Sequence, residues 1–311
     1  MGTPVVLGLD FGGTKIAAAV ADPSGKRLGE TTVTTDPGRG ARWNFDLGLD
    51  AARALLDGSD LRAVGACTFG IPASHGVGLA PAIDGWEELV LGRELEDAFD
   101  CRLVQVATDV KAAAAAEARA GALAGHDQAI YLNLGTGLAV ALVFDGKVVA
   151  GANGAAGEIG YGLQRAEDVV LEEAASGMGL SAAALRITGE ELSAADVFAR
   201  EAEDPRLAAL IETFVAELGF HLVNLAVAVD PSRIAVGGGL VRSWDRLEEP
   251  LRKALEAGVP FPPELVIGAF PFDAALVGAL ELAVDAFGKE ARQVESVNPQ
   301  TVARRPGRNG S

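Results

Sequence analysis

Three glycine clusters stand at the ends of apolar runs: Gly12-Gly13-Thr14-Lys15, Gly135-Thr136-Gly137 and Gly237-Gly238-Gly239. Backbone amides at such turns can point inward and cradle phosphate oxygens, and glycine lets a ligand approach the backbone closely. Two acids accompany them. Asp10 closes the apolar run 5–10, and Asp109 follows the short run 103–106 and opens an alanine-rich stretch. Transfer of a phosphoryl group to a hydroxyl needs phosphate positioning, neutralisation of phosphate charge by a metal, and a base for the hydroxyl proton. These residue types could supply all three. Taken singly, each has a plainer reading: Asp10 as a turn acid, Lys15 as a solvated charge, Asp109 as a helix N-cap, and each glycine cluster as strand punctuation. The first cluster is not a P-loop. Its order is Gly-Thr-Lys where that motif needs Gly-Lys-Thr, and an apolar run of strand character follows it where a helix is required. No Gly-x-Gly-x-x-Gly opens a helix after a strand, which disfavours a dinucleotide fold.

The elements that must carry these residues repeat. Residues 5–10, 16–20 and 27–33 read as strands separated by glycine-bearing turns, and 130–134, 138–144 and 147–150 follow the same order. The echo points to two halves built on one plan, with a chance repeat of two hairpins as the alternative. Between and after them, 41–56, 110–124, 194–228, 244–257 and 274–286 read as helices, and 63–69, 103–106 and 233–236 as strands. Residues 289–311 are mostly polar and contain two prolines, so they read as a disordered tail.

The chain has 311 residues and a formal net charge of −17, with 49% apolar and 5% aromatic residues. That length suits one large or two medium domains with ample core. The acidic balance argues against a nucleic-acid surface, which needs a cationic footprint. Two cysteines make neither a disulfide framework nor a cysteine-based zinc site. No leader is recognised and every apolar run is expected to fall short of a membrane span, so a reduced, cytoplasmic protein with no membrane partner is expected.

Asp10-Phe11-Gly12-Gly13-Thr14-Lys15, Gly135-Thr136-Gly137, Gly157-Glu158-Ile159-Gly160 and Gly237-Gly238-Gly239, in that order, resemble the ROK family of sugar kinases and repressors, whose best-known members are bacterial glucokinases. The resemblance covers residues 5–287. It implies an α/β fold of the actin-like ATPase (ribonuclease H-like) kind, duplicated, with two domains around a cleft. We place a small domain at 1–109 and a larger one at 110–288, with the last helix packing back on the first. The resemblance implies ATP and Mg²⁺ as cofactors. Gly12, Gly13, Thr14 and Lys15 would line the first phosphate loop, Gly135, Thr136 and Gly137 the second, and Gly237, Gly238 and Gly239 the adenosine. Asp10 would hold magnesium through water. Asp109 matches the catalytic base, and Thr108, Glu158 and Glu172 match sugar-contacting positions.

Several positions depart from the family pattern. Thr108 stands where Asn is usual, Tyr161 where a sugar-contacting and zinc-ligating His is usual, and Ala82 where Asn follows a proline. No cysteine occurs in 162–170, so no zinc site is expected. His75 and Asp84 are candidate replacement contacts. The altered pocket shifts the expected acceptor from glucose alone to a hexose-like molecule with a primary hydroxyl: a glucose-like sugar, an amino sugar or a C7 cyclitol. The alternative is a non-catalytic sugar-binding member of the same family. A repressor is not expected, because the first glycine loop begins by residue 8 and the net charge is −17. Homodimers are usual among such kinases, and nothing in the sequence specifies one.

Overall fold

The computed structural model describes residues 2–163 and 170–297, with side chains described to residue 290. Its first part contains β1 (Pro4–Phe11), β2 (Lys15–Ala21), β3 (Arg27–Thr34), α1 (Gly40–Leu56) and β4 (Asp60–Thr68). A small hairpin, β5 (Ile71–Ala73) and β6 (Gly76–Gly78), is followed by α2 (Leu91–Phe99) and β7 (Val104–Thr108). The main sheet has the order β3-β2-β1-β4-β7. β1 pairs antiparallel with β2 and parallel with β4. Strand alternation sorts β1 by face. Leu7, Leu9 and Phe11 enter a core shared with α1, where the Phe11 ring lies 5.5 Å from Phe45 and 5.7 Å from Trp86, while Val6 packs with Leu280 on the other face.

The second part begins with α3 (Asp109–Ala120), then β8 (Gln128–Leu134), β9 (Leu138–Phe144) and β10 (Lys147–Val148). Helices α4 (Leu171–Ala175), α5 (Gly177–Thr188), α6 (Ala194–Ala199) and α7 (Pro205–Val229) follow. Then come β11 (Arg233–Gly237), α8 (Trp244–Gly258), β12 (Glu264–Ile267) and α9 (Ala274–Val297). The sheet order β10-β9-β8-β11-β12 reproduces the first sheet strand for strand, including two antiparallel then two parallel pairings. The sequence echo is therefore a repeat of topology as well as of turns.

The structure corrects several boundaries. The helical stretch at 194–228 is two helices, because Ser193 closes a capping box on α6 and Asp204 with Pro205 starts α7 afresh. α3 stops at Ala120, where Gly121 caps it, and not at residue 124. α9 continues to Val297, so residues 289–297, expected as part of a disordered tail, are helical. Residues 298–311 lie outside the described residues. α7 is long and apolar enough, by length and composition, to cross a membrane, contrary to the expectation that every apolar run falls short. Its Leu207, Ile211, Phe214, Leu218 and Leu222 are buried in the core against β8 and α8, as in a core helix.

Two contacts fix α3, the helix that begins with Asp109. α9 lies on β1 and β4 and crosses α3 at backbone distance. A Cβ on Gly278 would sit 1.9 Å from the Ala112 carbonyl oxygen, and one on Gly65 would sit 1.9 Å from that of Ala279. No side chain larger than hydrogen fits at either position. The second contact is Glu117, fully buried, whose carboxylate accepts from the amides of Ala122 (2.6 Å), Ala269 (3.0 Å) and Phe270 (2.8 Å). It ties the end of α3 to the loop before α9 with charge-assisted bonds.

Gly278→Val is expected to lower the unfolding free energy by about 3 kcal/mol or to prevent folding, read by urea denaturation. Gly29→Ala, whose new Cβ meets only the Leu55 Cδ2 at 3.7 Å, is the control and is expected to change it by less than about 1 kcal/mol.

Candidate active site

Residues of all three glycine clusters line two adjoining cavities. In the first cluster, the Gly12 amide donates to the Lys15 carbonyl (3.0 Å), and the Thr35 hydroxyl donates to the Gly12 carbonyl (2.8 Å). In the second, the Gly135 and Thr136 carbonyls accept from the amides of Gly177 (2.9 Å) and Met178 (3.1 Å), so α5 begins on this loop. In the third, Gly238 has φ of +93°, and a Cβ on Gly237 would sit 2.1 Å from the Tyr131 hydroxyl oxygen. Glycine is required at both positions, for conformation at one and for room at the other.

A cavity of about 340 Å³ opens between the halves, lined by Thr14, Lys15, Asp109, Asn133, Gly238 and Gly239. A second, of about 420 Å³, adjoins it and is lined by Gly135, Thr136, Gly177, Ser181 and Ser193. Arg242 lines both, with its guanidinium 4.2 Å from the centre of the Phe272 ring, a cation–π contact. Sequence reading had no signal for Arg242, Phe272 or Asn133. Arg242 and Phe272 meet only because β11 and the loop before α9 are neighbours in space.

Asp109 is the first residue of α3, and the cap is its neighbour. The Thr108 hydroxyl accepts from the Lys111 amide (3.2 Å). Thr108, expected as a sugar contact, is buried, and its hydroxyl oxygen caps the helix start. That leaves the Asp109 side chain facing the cavity, with Oδ1 accepting from the Val110 amide at 2.8 Å. Burial, then the nearby Asp10 charge, raises the Asp109 carboxyl to about 7. Asp10 is likewise raised by burial, opposed by a hydrogen bond from the Cys67 thiol (3.4 Å) and by the charge of Lys15. Two buried carboxyl groups, one raised in part by the charge of the other, form an oxygen donor set short of positive charge, which suits a hard, hydrated cation such as Mg²⁺. Among the described residues, no three His, Cys, Asp or Glu side chains gather as a metal-holding group. Residues 164–169, within the stretch where a zinc motif would fall, lie outside the described residues.

On the far side of Asp109 a second charged cluster forms. Glu158 precedes the short turn Ile159–Tyr161, and its Oε1 lies 3.8 Å from Lys111 Nζ. Burial raises the Glu158 carboxyl, Lys111 lowers it, and the charge of Glu172 adds a smaller rise. Glu172 Oε1 accepts from the Leu138 amide (3.0 Å), so this acid also braces the second glycine loop. Tyr161 is 53% exposed, and its hydroxyl is raised by burial and then by Glu172 and Glu158. His75 and Asp84 are exposed and line neither cavity. Asp84 contributes its backbone carbonyl to the Ala41 amide (2.9 Å), at the start of α1. Ala82 lies beside the first glycine loop, its Cβ 3.5 Å from where a Cβ on Gly13 would be. Lys111, in the middle of this cluster, was not singled out from the sequence, where it reads as one polar residue in an alanine-rich helix.

Comparison with known proteins places the chain in a family. A glucokinase of Halalkalibacterium halodurans is 28% identical over 81% of this chain and 85% of its own. A bifunctional enzyme NanE/NanK of Brucella melitensis is 32% identical over 91% of this chain, which spans only 54% of that longer protein. Among solved structures, a ROK family glucokinase of Streptomyces griseus, crystallised with glucose and AMPPNP, superimposes with a TM-score of 0.76 at 28% identity, covering 90% of this chain and 99% of that one. The family model described as ROK matches residues 6–286. The duplicated actin-like fold, the glycine loops and a model match over nearly the whole described chain lead to one assignment: this protein belongs to the ROK family.

Proposed function

We propose that the chain is an ATP-dependent kinase that phosphorylates a primary hydroxyl of a hexose or hexose-like acceptor. One observation carries this reading: Asp109, at the start of α3, lines the cavity formed by the glycine loops, with its carboxyl raised to about 7. A base poised near neutral pH combines a useful ionised fraction with proton affinity. The relatives named glucokinase and NanE/NanK, and the neighbour crystallised with glucose and AMPPNP, support the sugar-kinase class.

In this reading Gly13, Thr14, Thr136 and Gly137 offer backbone amides to the phosphates, Gly12 and Gly135 close the two turns through their amides to the Lys15 and Gly137 carbonyls, and Lys15 adds charge beside them. Gly237, Gly238 and Gly239, with Arg242 and Phe272, flank the adenosine. Asp10 would hold hydrated Mg²⁺, which supplies charge neutralisation on the phosphate oxygens. Asp109 takes the proton of the acceptor hydroxyl as its oxygen attacks the γ-phosphorus and the bond to ADP breaks. Glu158 orients the acceptor, and Tyr161 and Glu172 stand at its edge. We place the domain boundary at residues 109–110, so that closure of one half on the other excludes water from the transfer.

Coupled ADP release with Mg·ATP against glucose, mannose, N-acetylmannosamine, amino-glucoses and C7 cyclitols tests the assignment. Turnover on one member is expected, and Asp109→Asn is expected to lower it at least ~100-fold. Turnover that survives in Asp109→Asn would contradict the role of Asp109. ATP binding with no turnover on any acceptor would favour a sugar-binding protein.

The same variant carries a stability prediction. A carboxyl raised in the folded state binds its proton there more tightly than in the unfolded chain, so stability falls as pH rises from the ordinary aspartate range toward about 7. Asp109→Asn removes that loss. It is expected to raise stability at pH 8 by on the order of 2–4 kcal/mol, and by less at pH 5, in urea titrations of the nucleotide-free protein. Separately, Arg242→Ala is expected to raise KM for ATP about tenfold with little change in kcat.

A further inference from the structure

Lys111 has no role in the transfer as described, yet its side chain is only 8% exposed and sits inside the charged cluster. An ammonium carries three donors and is rarely buried without partners. Its Nζ lies 3.8 Å from Glu158 Oε1, close enough for an ion pair but too far for a hydrogen bond. Among the described residues Nζ donates no hydrogen bond. Its charge is felt by Glu158, and it in turn feels Glu158 and Asp109, which stands two residues before it on α3. Burial draws the ammonium below the ordinary lysine range, and the two acids oppose that.

Without Lys111 this end of the cleft would hold Asp109, Glu158 and Glu172 with no cation beside Glu158. Such a cluster would draw in an acceptor carrying an ammonium group. With Lys111, the Glu158 position offers a carboxylate that accepts hydrogen bonds and an ammonium that donates them. That pair complements an uncharged group able to both donate and accept, such as a hydroxyl pair or a hydroxyl beside an amide carbonyl, and it repels a second ammonium.

We infer that Lys111 is an acceptor-recognition residue: paired with Glu158, it sets the pocket to take uncharged polyols and N-acylated sugars and to reject sugars bearing a free, protonated amine. The inference rests on the kinase reading for the place of the acceptor, and it names the acceptor class that reading leaves open.

The test compares glucose with glucosamine, and N-acetylmannosamine with mannosamine, on the full chain below pH 7, where the amines are protonated. Binding is measured by calorimetry with Mg·AMPPNP, and turnover by ADP release. The wild type is expected to favour the uncharged member of at least one pair by ~10-fold or more. Lys111→Met is expected to bring that ratio close to one or invert it, chiefly through KM, and Lys111→Arg to keep it. Lys111→Gln serves as the second neutral variant should Met disturb folding. An unchanged ratio in the neutral variants, a loss confined to kcat, or a wild type that prefers the amine would each overturn the inference. A Lys111-dependent preference in binding with no ADP release would overturn the kinase reading and leave the inference standing. ADP release with a ratio indifferent to Lys111 would do the reverse. Binding of no acceptor by the wild type would overturn both.

Discussion

The contact between α3 and α9 is the constraint on which the site depends. α9 presses on the first sheet through Gly65 and on α3 through Gly278, at distances that admit no side chain at either position. α3 carries Asp109 at its first residue, so its position sets the depth of the carboxylate in the cleft. Glu117, at the other end of α3, holds the loop that brings Pro271 and Phe272 to the cavity lined by Asp109. One helix therefore fixes both the proposed base and one wall of the proposed nucleotide pocket. Backbone packing of small residues and a buried carboxylate with three amide donors are both intolerant of small displacement, which suits geometry needed to align a hydroxyl with a phosphate.

The charge arrangement follows from the duplication. Each half ends its first strand near a glycine turn, and the two turns open onto adjoining cavities. The first half supplies Asp10 and Lys15 there, and the second supplies Asn133 and the loop at Gly135. Asp109 stands at the junction. Burying two acids near each other opposes folding, and the hydrated cation proposed for Asp10 would bring the missing positive charge. Cys67 softens the arrangement locally by donating to Asp10.

Much of this was legible in the sequence. The two strand–turn–strand echoes announced the duplicated sheets because short apolar runs and glycine turns are local signals. Asp10, Thr14, Lys15, Asp109 and Gly238 were singled out through the family resemblance, and Thr14, Lys15, Asp109 and Gly238 line the first cavity. Other features were not, because their meaning is tertiary. Thr108, matched to a sugar contact, also caps α3 through the Lys111 amide. Glu172, matched to a sugar contact, also braces the second glycine loop through the Leu138 amide, which only the fold shows. Lys111 and Glu158 are distant in sequence and meet only across the cluster. α2, α4, α5 and β12 escaped notice because they are short or weakly periodic, and α9 outran its reading because its polar end stays helical.

The pH dependence of kcat/KM for the acceptor, with Mg·ATP, tests the central claim most directly. Asp109 must lose its proton to act as base, and its carboxyl is raised to about 7 in the free protein. Magnesium held at Asp10 as proposed would add positive charge and move that value down. The account therefore predicts activity that rises with pH along a single limb, with an apparent pKa above the ordinary aspartate range and no higher than about 7. Activity that stays flat between about pH 4.5 and 8, or that falls with rising pH across that interval, would contradict it.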